Sequence, residues 1–129
     1  MNNNKKNILV VDENIDITSF IKQGLEYLYP SEYNVICVNC RKKCFEVLKK
    51  SHIIPDVILL DISMSCRNVW EALNQLNSNF QWKNIHIIFL SEARDTVSKN
   101  FGNFFGFDLI EKPFEIENLK IRIERVLAQ

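Results

Sequence analysis

Two apolar periods alternate along this chain. Residues 8–11 form an unbroken apolar run closed by Asp12, and residues 57–60 form another closed by Asp61. Both are too short for helices and rich in branched side chains, the pattern of strands buried on both faces. Residues 85–90, closed by Ser91, read the same way, with a further strand over 33–38 and a short one at 109–110. Between the strands the period becomes helical. Ile17, Phe20, Ile21, Leu25 and Leu28 share one helix face behind Asn14 as a candidate N-cap; Phe45 and Leu48 mark a helix within 41–50. Val69, Ala72, Leu73 and Leu76 mark the next, and Ile116, Leu119, Ile123, Val126 and Leu127 the last. A short helix near 94–101 is expected as well, ending where Asn100, Gly102 and Asn103 lower helix propensity.

Strict alternation of strand and helix over five units predicts an α/β fold, a parallel sheet covered on both faces, because parallel neighbours need right-handed crossovers. At 129 residues the chain fits one domain, 1–129, with residues 1–6 (MNNNKK) expected as a flexible polar leader. Sixteen basic residues balance sixteen acidic ones, so charge gives no support for a nucleic-acid or anionic-membrane surface. There is no signal-like or membrane-length apolar segment, and the expectation is a cytoplasmic protein. Cys37, Cys40, Cys44 and Cys66 match neither a disulfide framework nor a paired zinc motif; reduced thiols are expected, in the core for Cys37, Cys40 and Cys44 and near the rim for Cys66.

Ligands of open parallel sheets sit beyond the carboxyl ends of the strands. Here those ends carry Asp12 and Glu13, Asp61, Ser91 and, after the last strand, Lys112. Crowded carboxylates repel, by about 4 kcal/mol per pair at 4 Å and an effective dielectric near 20, so a cation is required. A hard divalent ion with oxygen ligands, Mg²⁺ foremost, answers that need. With metal and Lys112 neutralising phosphoryl oxygens, a carboxylate becomes a competent nucleophile; Asp61, at the end of the central strand, is the candidate, and Ser91 a hydroxyl donor to the transferred group.

The segments VVDEN, VILLDISM, FLSEA and EKPF, in this order and each at an expected strand end, resemble the receiver domain of two-component response regulators over essentially the whole chain. The resemblance implies a flavodoxin-like sheet of order 2-1-3-4-5. It implies that Asp61 accepts phosphate from a histidine kinase or phosphotransfer protein, and that Asp12, Glu13 and Asp61 bind Mg²⁺ with the main-chain carbonyl of Ser63. Contacts of Ser91 and Lys112 with the phosphoryl group, and a cis Lys112–Pro113 bond, follow from the same likeness. It further implies a downstream protein partner, with a monomer or weak dimer using the fourth helix, fifth strand and last helix.

Several positions depart from the family pattern. Glu13 replaces the commoner aspartate; Ser65 and Val69 replace the proline and glycine usual after the acceptor, which alters the loop beyond Asp61. Glu92 stands where a small residue is usual and brings negative charge to the donor's approach; Leu109 replaces the aromatic ring of the usual switch.

Plainer roles exist for each group taken alone. Asp61 suits a helix cap, Asp12 and Glu13 suit first-turn acids, and Lys112–Pro113 a simple turn; only their convergence points to chemistry. Phe101, Phe104, Phe105 and Phe107 read first as core, with a docking patch as the second reading, and His52 and His86 as structural. A dehalogenase-type phosphatase would need a general acid where Ser63 stands, and a flavodoxin would need a phosphate cradle where Asp12 and Glu13 would repel it. The remaining rival is a receiver-like interaction module that does not depend on phosphorylation.

Overall fold

The computed structural model describes residues 4–50, 54–62, 69–92 and 108–129. Along these the chain runs β1 (Lys6–Val11), α1 (Ile15–Leu28), β2 (Tyr33–Val38), α2 (Arg41–Lys50), β3 (Val57–Asp61), α3 (Val69–Ser78), β4 (His86–Glu92), β5 (Asp108–Lys112) and α4 (Ile116–Leu127). The helix expected near 94–101 and the cluster Phe101, Phe104, Phe105 and Phe107 lie outside the described residues, as do His52, Ser63, Ser65 and Cys66.

All five strands join in one parallel sheet of order β2-β1-β3-β4-β5. Successive side chains of a strand point to opposite faces, so each apolar run divides between two cores. Ile8 and Val10 of β1, Leu59 of β3, Leu90 of β4 and Ile110 of β5 pack with Ile21 and Leu25 of α1 and with Leu119 and Ile123 of α4. Their sequence neighbours Leu9, Val11, Leu60 and Phe89 pack instead with Cys44 and Leu48 of α2 and Leu73 and Leu76 of α3. Unbroken apolar runs thus reflect a sheet with no water-facing side.

α1 begins where expected: the Asn14 side chain accepts a hydrogen bond from the Asp16 N–H at 2.9 Å, satisfying one of the free donors of the first turn. Its buried stripe is narrower than the sequence suggests. Thr18, Ile21 and Leu25 are buried, Ile21 and Leu25 against the sheet, whereas Phe20 and Leu28 at the margin of that face remain 43% and 47% exposed. Gly24 permits the close approach of α4; a Cβ there would collide with the Ile116 side chain.

β3, β4 and β5 each run past their apolar residues into polar ones, because the ladder continues: Asp61 pairs with Leu90, Ser91 with Glu111 and Glu92 with Lys112. Asp61, Ser91 and Lys112 are therefore strand residues rather than loop residues, and they inherit the sheet's rigidity. The Lys112–Pro113 peptide bond is cis, in agreement with the expectation. Cys37, Cys40 and Cys44 are free thiols, and burial, with Cys40 nearby, pushes the Cys44 thiol up to about 12, in keeping with a core role. Among the described residues no helix is long and apolar enough to cross a membrane.

Candidate functional site

Strand alternation assembles the site. Asp12 lies two positions beyond Val10, Asp61 two beyond Leu59, Glu92 two beyond Leu90 and Lys112 two beyond Ile110, and all four preceding residues belong to the core under α1 and α4. The same parity carried to the strand ends brings the four charged groups to one side of the sheet's rim. Lys112 Nζ lies 2.7 Å from Asp12 Oδ2, 3.5 Å from Asp61 Oδ1 and 3.8 Å from Glu92 Oε1. Asp12, Asp61 and Lys112 are 1%, 5% and 7% exposed, while Glu92 is exposed.

Asp12 is held by its main chain as well as by its charge. Its N–H donates to the Val38 carbonyl at 3.1 Å, and its own carbonyl accepts from Asn39 Nδ2 at 2.8 Å. Its Oδ1 accepts from the Asn14 N–H at 2.9 Å, leaving Oδ2 for Lys112. Beyond that ion pair, Asp12 Oδ2 has no hydrogen-bond partner among the described residues. The Asp61 end is fixed through its neighbour, the Ile62 N–H donating to the Leu90 carbonyl at 3.0 Å.

Burial by itself would lower the Lys112 ammonium's pKa. The hydrogen bond with Asp12 and the fields of Asp61, Asp12 and Glu92 outweigh it, and the pKa is raised. Lys112 is thus firmly cationic, yet it is one positive charge shared between two buried acids with a third acid nearby. Among the described residues hard oxygen donors outnumber positive charge here, and two of them converge on the single Lys112 ammonium. That donor set fits a small divalent cation. Glu13 sits exposed at the rim beside them, and among the described residues no three acidic, His or Cys side chains are grouped as a ready-made metal cluster.

Ser91 stands at the same rim with opposite parity, fully buried at 0% exposure, and its Oγ has no hydrogen-bond partner among the described residues. A buried hydroxyl without a partner costs about 1–3 kcal/mol, which makes it a ready donor to an incoming oxygen. The structure therefore brings Asp12, Asp61 and Lys112 together and places Ser91 and Glu13 at the same edge; Ser63 lies outside the described residues. Sequence reasoning gave Glu92 a charge effect on the approaching donor but missed its ion pair with Lys112. The signal was present, since Glu92 shares the parity of Leu90. Asn39 was missed altogether, because nothing local ties a residue after β2 to a carbonyl after β1.

Comparison with known proteins agrees with this geometry. Residues 8–124 match the response regulator receiver domain family. The chain is 33% identical over 122 residues to a probable transcriptional regulator, ycf29, of Cyanophora paradoxa, covering 94% of this chain and 56% of that protein. It is 32% identical over 117 residues to a probable cyclic di-GMP phosphodiesterase of Vibrio cholerae, covering 90% of this chain and 25% of that one. It thus spans about half or less of these relatives. In fold it is similar to the chemotaxis response regulator CheY4 of Vibrio cholerae, with a TM-score of 0.78 at 24% identity over 95% of this chain and 98% of the other. Receiver domains are signalling domains of two-component systems, regulated by phosphorylation and generally Mg²⁺-dependent. On its parallel sheet, its rim of acids and lysine and its match over residues 8–124, the chain belongs to the response regulator receiver domain family.

Proposed function

We propose that this domain accepts a phosphoryl group on Asp61 from the phosphohistidine of a sensor histidine kinase or phosphotransfer protein, and relays the signal to a downstream protein partner. The supporting observation is the convergence of buried Asp12 and Asp61 on Lys112, at 2.7 and 3.5 Å, beside a buried Ser91 hydroxyl with no partner among the described residues. Asp12, Glu13 and Asp61, with the Ser63 main-chain carbonyl, would hold Mg²⁺. When bound, the metal supplies neutralisation of the acids and of the phosphoryl oxygens.

The chain's own groups do the rest. An Asp61 carboxylate oxygen forms the new bond to phosphorus as the phosphorus–nitrogen bond of the donor breaks, and the electron pair returns to the imidazole. Lys112 must loosen its hold on Asp12 to meet a phosphoryl oxygen, and Ser91 Oγ donates to another. With Leu109 in place of an aromatic ring, the response is expected to centre on the backbone around Ser91. The same reading has residues 1–129 working as one cytoplasmic domain, a monomer or weak dimer through the expected helix near 94–101, β5 and α4, and catalysing only its own phosphorylation and dephosphorylation.

Incubation with Mg²⁺ and acetyl phosphate tests the reading. Wild type should gain a hydroxylamine-labile phosphoryl adduct seen by intact mass, and Asp61→Asn should gain none. No adduct in the wild type would leave the interaction module that does not depend on phosphorylation, a reading favoured by the grip of Glu92 and Asp12 on Lys112.

A further inference from the structure

We infer that Asn39 is a positioning residue for the acidic pair Asp12 and Glu13, acting from a different strand through the peptide that joins them. The inference rests on the metal-dependent reading of the site given above.

The β1–β2 ladder stops at the pair Val11 and Val38. One residue further on, the Asp12 N–H still finds the Val38 carbonyl, but the Asp12 carbonyl has passed the end of the sheet, and its partner is the Asn39 side-chain amide at 2.8 Å. The same Nδ2 lies 3.4 Å from Thr18 Oγ1, and the buried Thr18 hydroxyl donates to the Ile15 carbonyl at 3.1 Å. One amide thereby ties the turn between β1 and α1 to the first turns of α1 and to the exit of β2. The Asp12–Glu13 peptide plane sets where both acidic side chains leave the backbone, so fixing its carbonyl fixes their aim. Without the amide that plane loses the anchor at its carbonyl; the Asn14 N–H and Lys112 still hold the Asp12 carboxylate, so the approach of the pair to a common cation loosens without being abolished.

Asn39 touches neither phosphate nor metal in this account, so its loss should appear as weakened cation binding and not as lost chemistry. The test uses Mn²⁺ alone as probe, titrated calorimetrically into the 129-residue chain well below the melting temperature of each variant. Asn39→Ala should bind about tenfold more weakly than wild type, the scale seen when an outer-shell partner is lost. Asn39→Gln, which keeps the donor, should recover most of that affinity. The amide resonances of Asp12, Glu13 and Asn14 in metal-free protein should shift in Asn39→Ala and return toward wild type in Asn39→Gln. At saturating Mg²⁺ the acetyl phosphate reaction of Asn39→Ala should approach the wild-type rate. Equal Mn²⁺ affinity in wild type and Asn39→Ala overturns this inference and leaves the phosphoacceptor reading standing. Failure of the wild type to bind Mn²⁺ overturns the metal reading and this inference with it. Weak binding in both Asn39→Ala and Asn39→Gln, with unchanged amide resonances, overturns positioning by the donor.

Discussion

Among the described residues two lysines each meet more than one acid, and the acids they meet lie in different settings. Lys112 at the carboxyl rim of the sheet is buried and meets Asp12, Asp61 and Glu92. Lys120 on α4 meets Glu124 at 2.9 Å and Glu32 at 3.3 Å, with the Tyr29 ring 4.9 Å beneath its ammonium. In both the pKa is raised. For Lys120 the leading cause is the hydrogen bond to Glu124; for Lys112 attraction has to overcome burial first. The Lys120 side chain is largely covered, but its acids stay 45% and 56% exposed, so water and salt screen these pairs and they contribute little. The Lys112 group is a poor way to stabilise a fold, because each buried ion gives up several kcal/mol of hydration. Under the proposed function the same concentration of charge would serve to hold a cation and a phosphoryl group.

The comparison is broken most severely by Lys112→Ala. This change takes the Lys112 ammonium away from two buried acids, and chemical denaturation in the absence of divalent ions should show a loss of about 3 kcal/mol, the scale for removing one partner of a buried pair. Added Mg²⁺ should restore part of it, which a purely structural lysine would not explain. A middle-sized effect is expected at Glu92, whose carboxylate lies 3.8 Å from Lys112 Nζ with its side chain largely in water. Glu92→Gln should speed acetyl phosphate labelling by about threefold at low salt, and the gain should shrink as ionic strength rises. Unchanged rates would remove Glu92 from any part in donor access.

The smallest effect belongs to Lys120, whose acidic partners are about half in water. Lys120→Ala should change stability by less than about 1 kcal/mol. It should still be visible in Tyr33, whose phenol burial pushes up from 10.0 to about 12, with Lys120 pulling it down and Glu124 and Glu32 adding to the rise. The fold favours the neutral phenol. Its contribution is therefore complete below about pH 10, where the unfolded chain ionises, and is lost as pH climbs through about 12. Following tyrosinate absorbance with Tyr27 and Tyr29 replaced by Phe, Lys120→Ala should move the Tyr33 titration further upward; a downward move would contradict the assignment of its neighbours.

Much of this was legible before any fold was at hand. The runs closed by Asp12, Asp61 and Ser91 announced strands and their polar ends together, because a strand buried on both faces must be apolar until it reaches the rim. The Asn14 cap was equally legible, being a local contact between residues two apart. Phe20 and Leu28 were misplaced on the buried face of α1, since periodicity fixes the direction of a face but not how wide a neighbour covers it. The grip of Glu92 on Lys112 was half legible: parity placed it on the correct side, and only the β4–β5 register set it opposite Lys112.

By itself the sequence determined the alternation of elements, the two-faced core and the set of charged residues at the strand ends, because these depend on local period and on where apolar runs stop. The tertiary structure alone decided that Lys112 binds Asp12 more closely than Asp61, that Ser91 is buried with its hydroxyl held back from the described polar groups, and that Asn39 closes the turn carrying Asp12. Those outcomes depend on distances between strands far apart in the chain, which no local pattern encodes and which only the packing of the sheet and its helices makes definite.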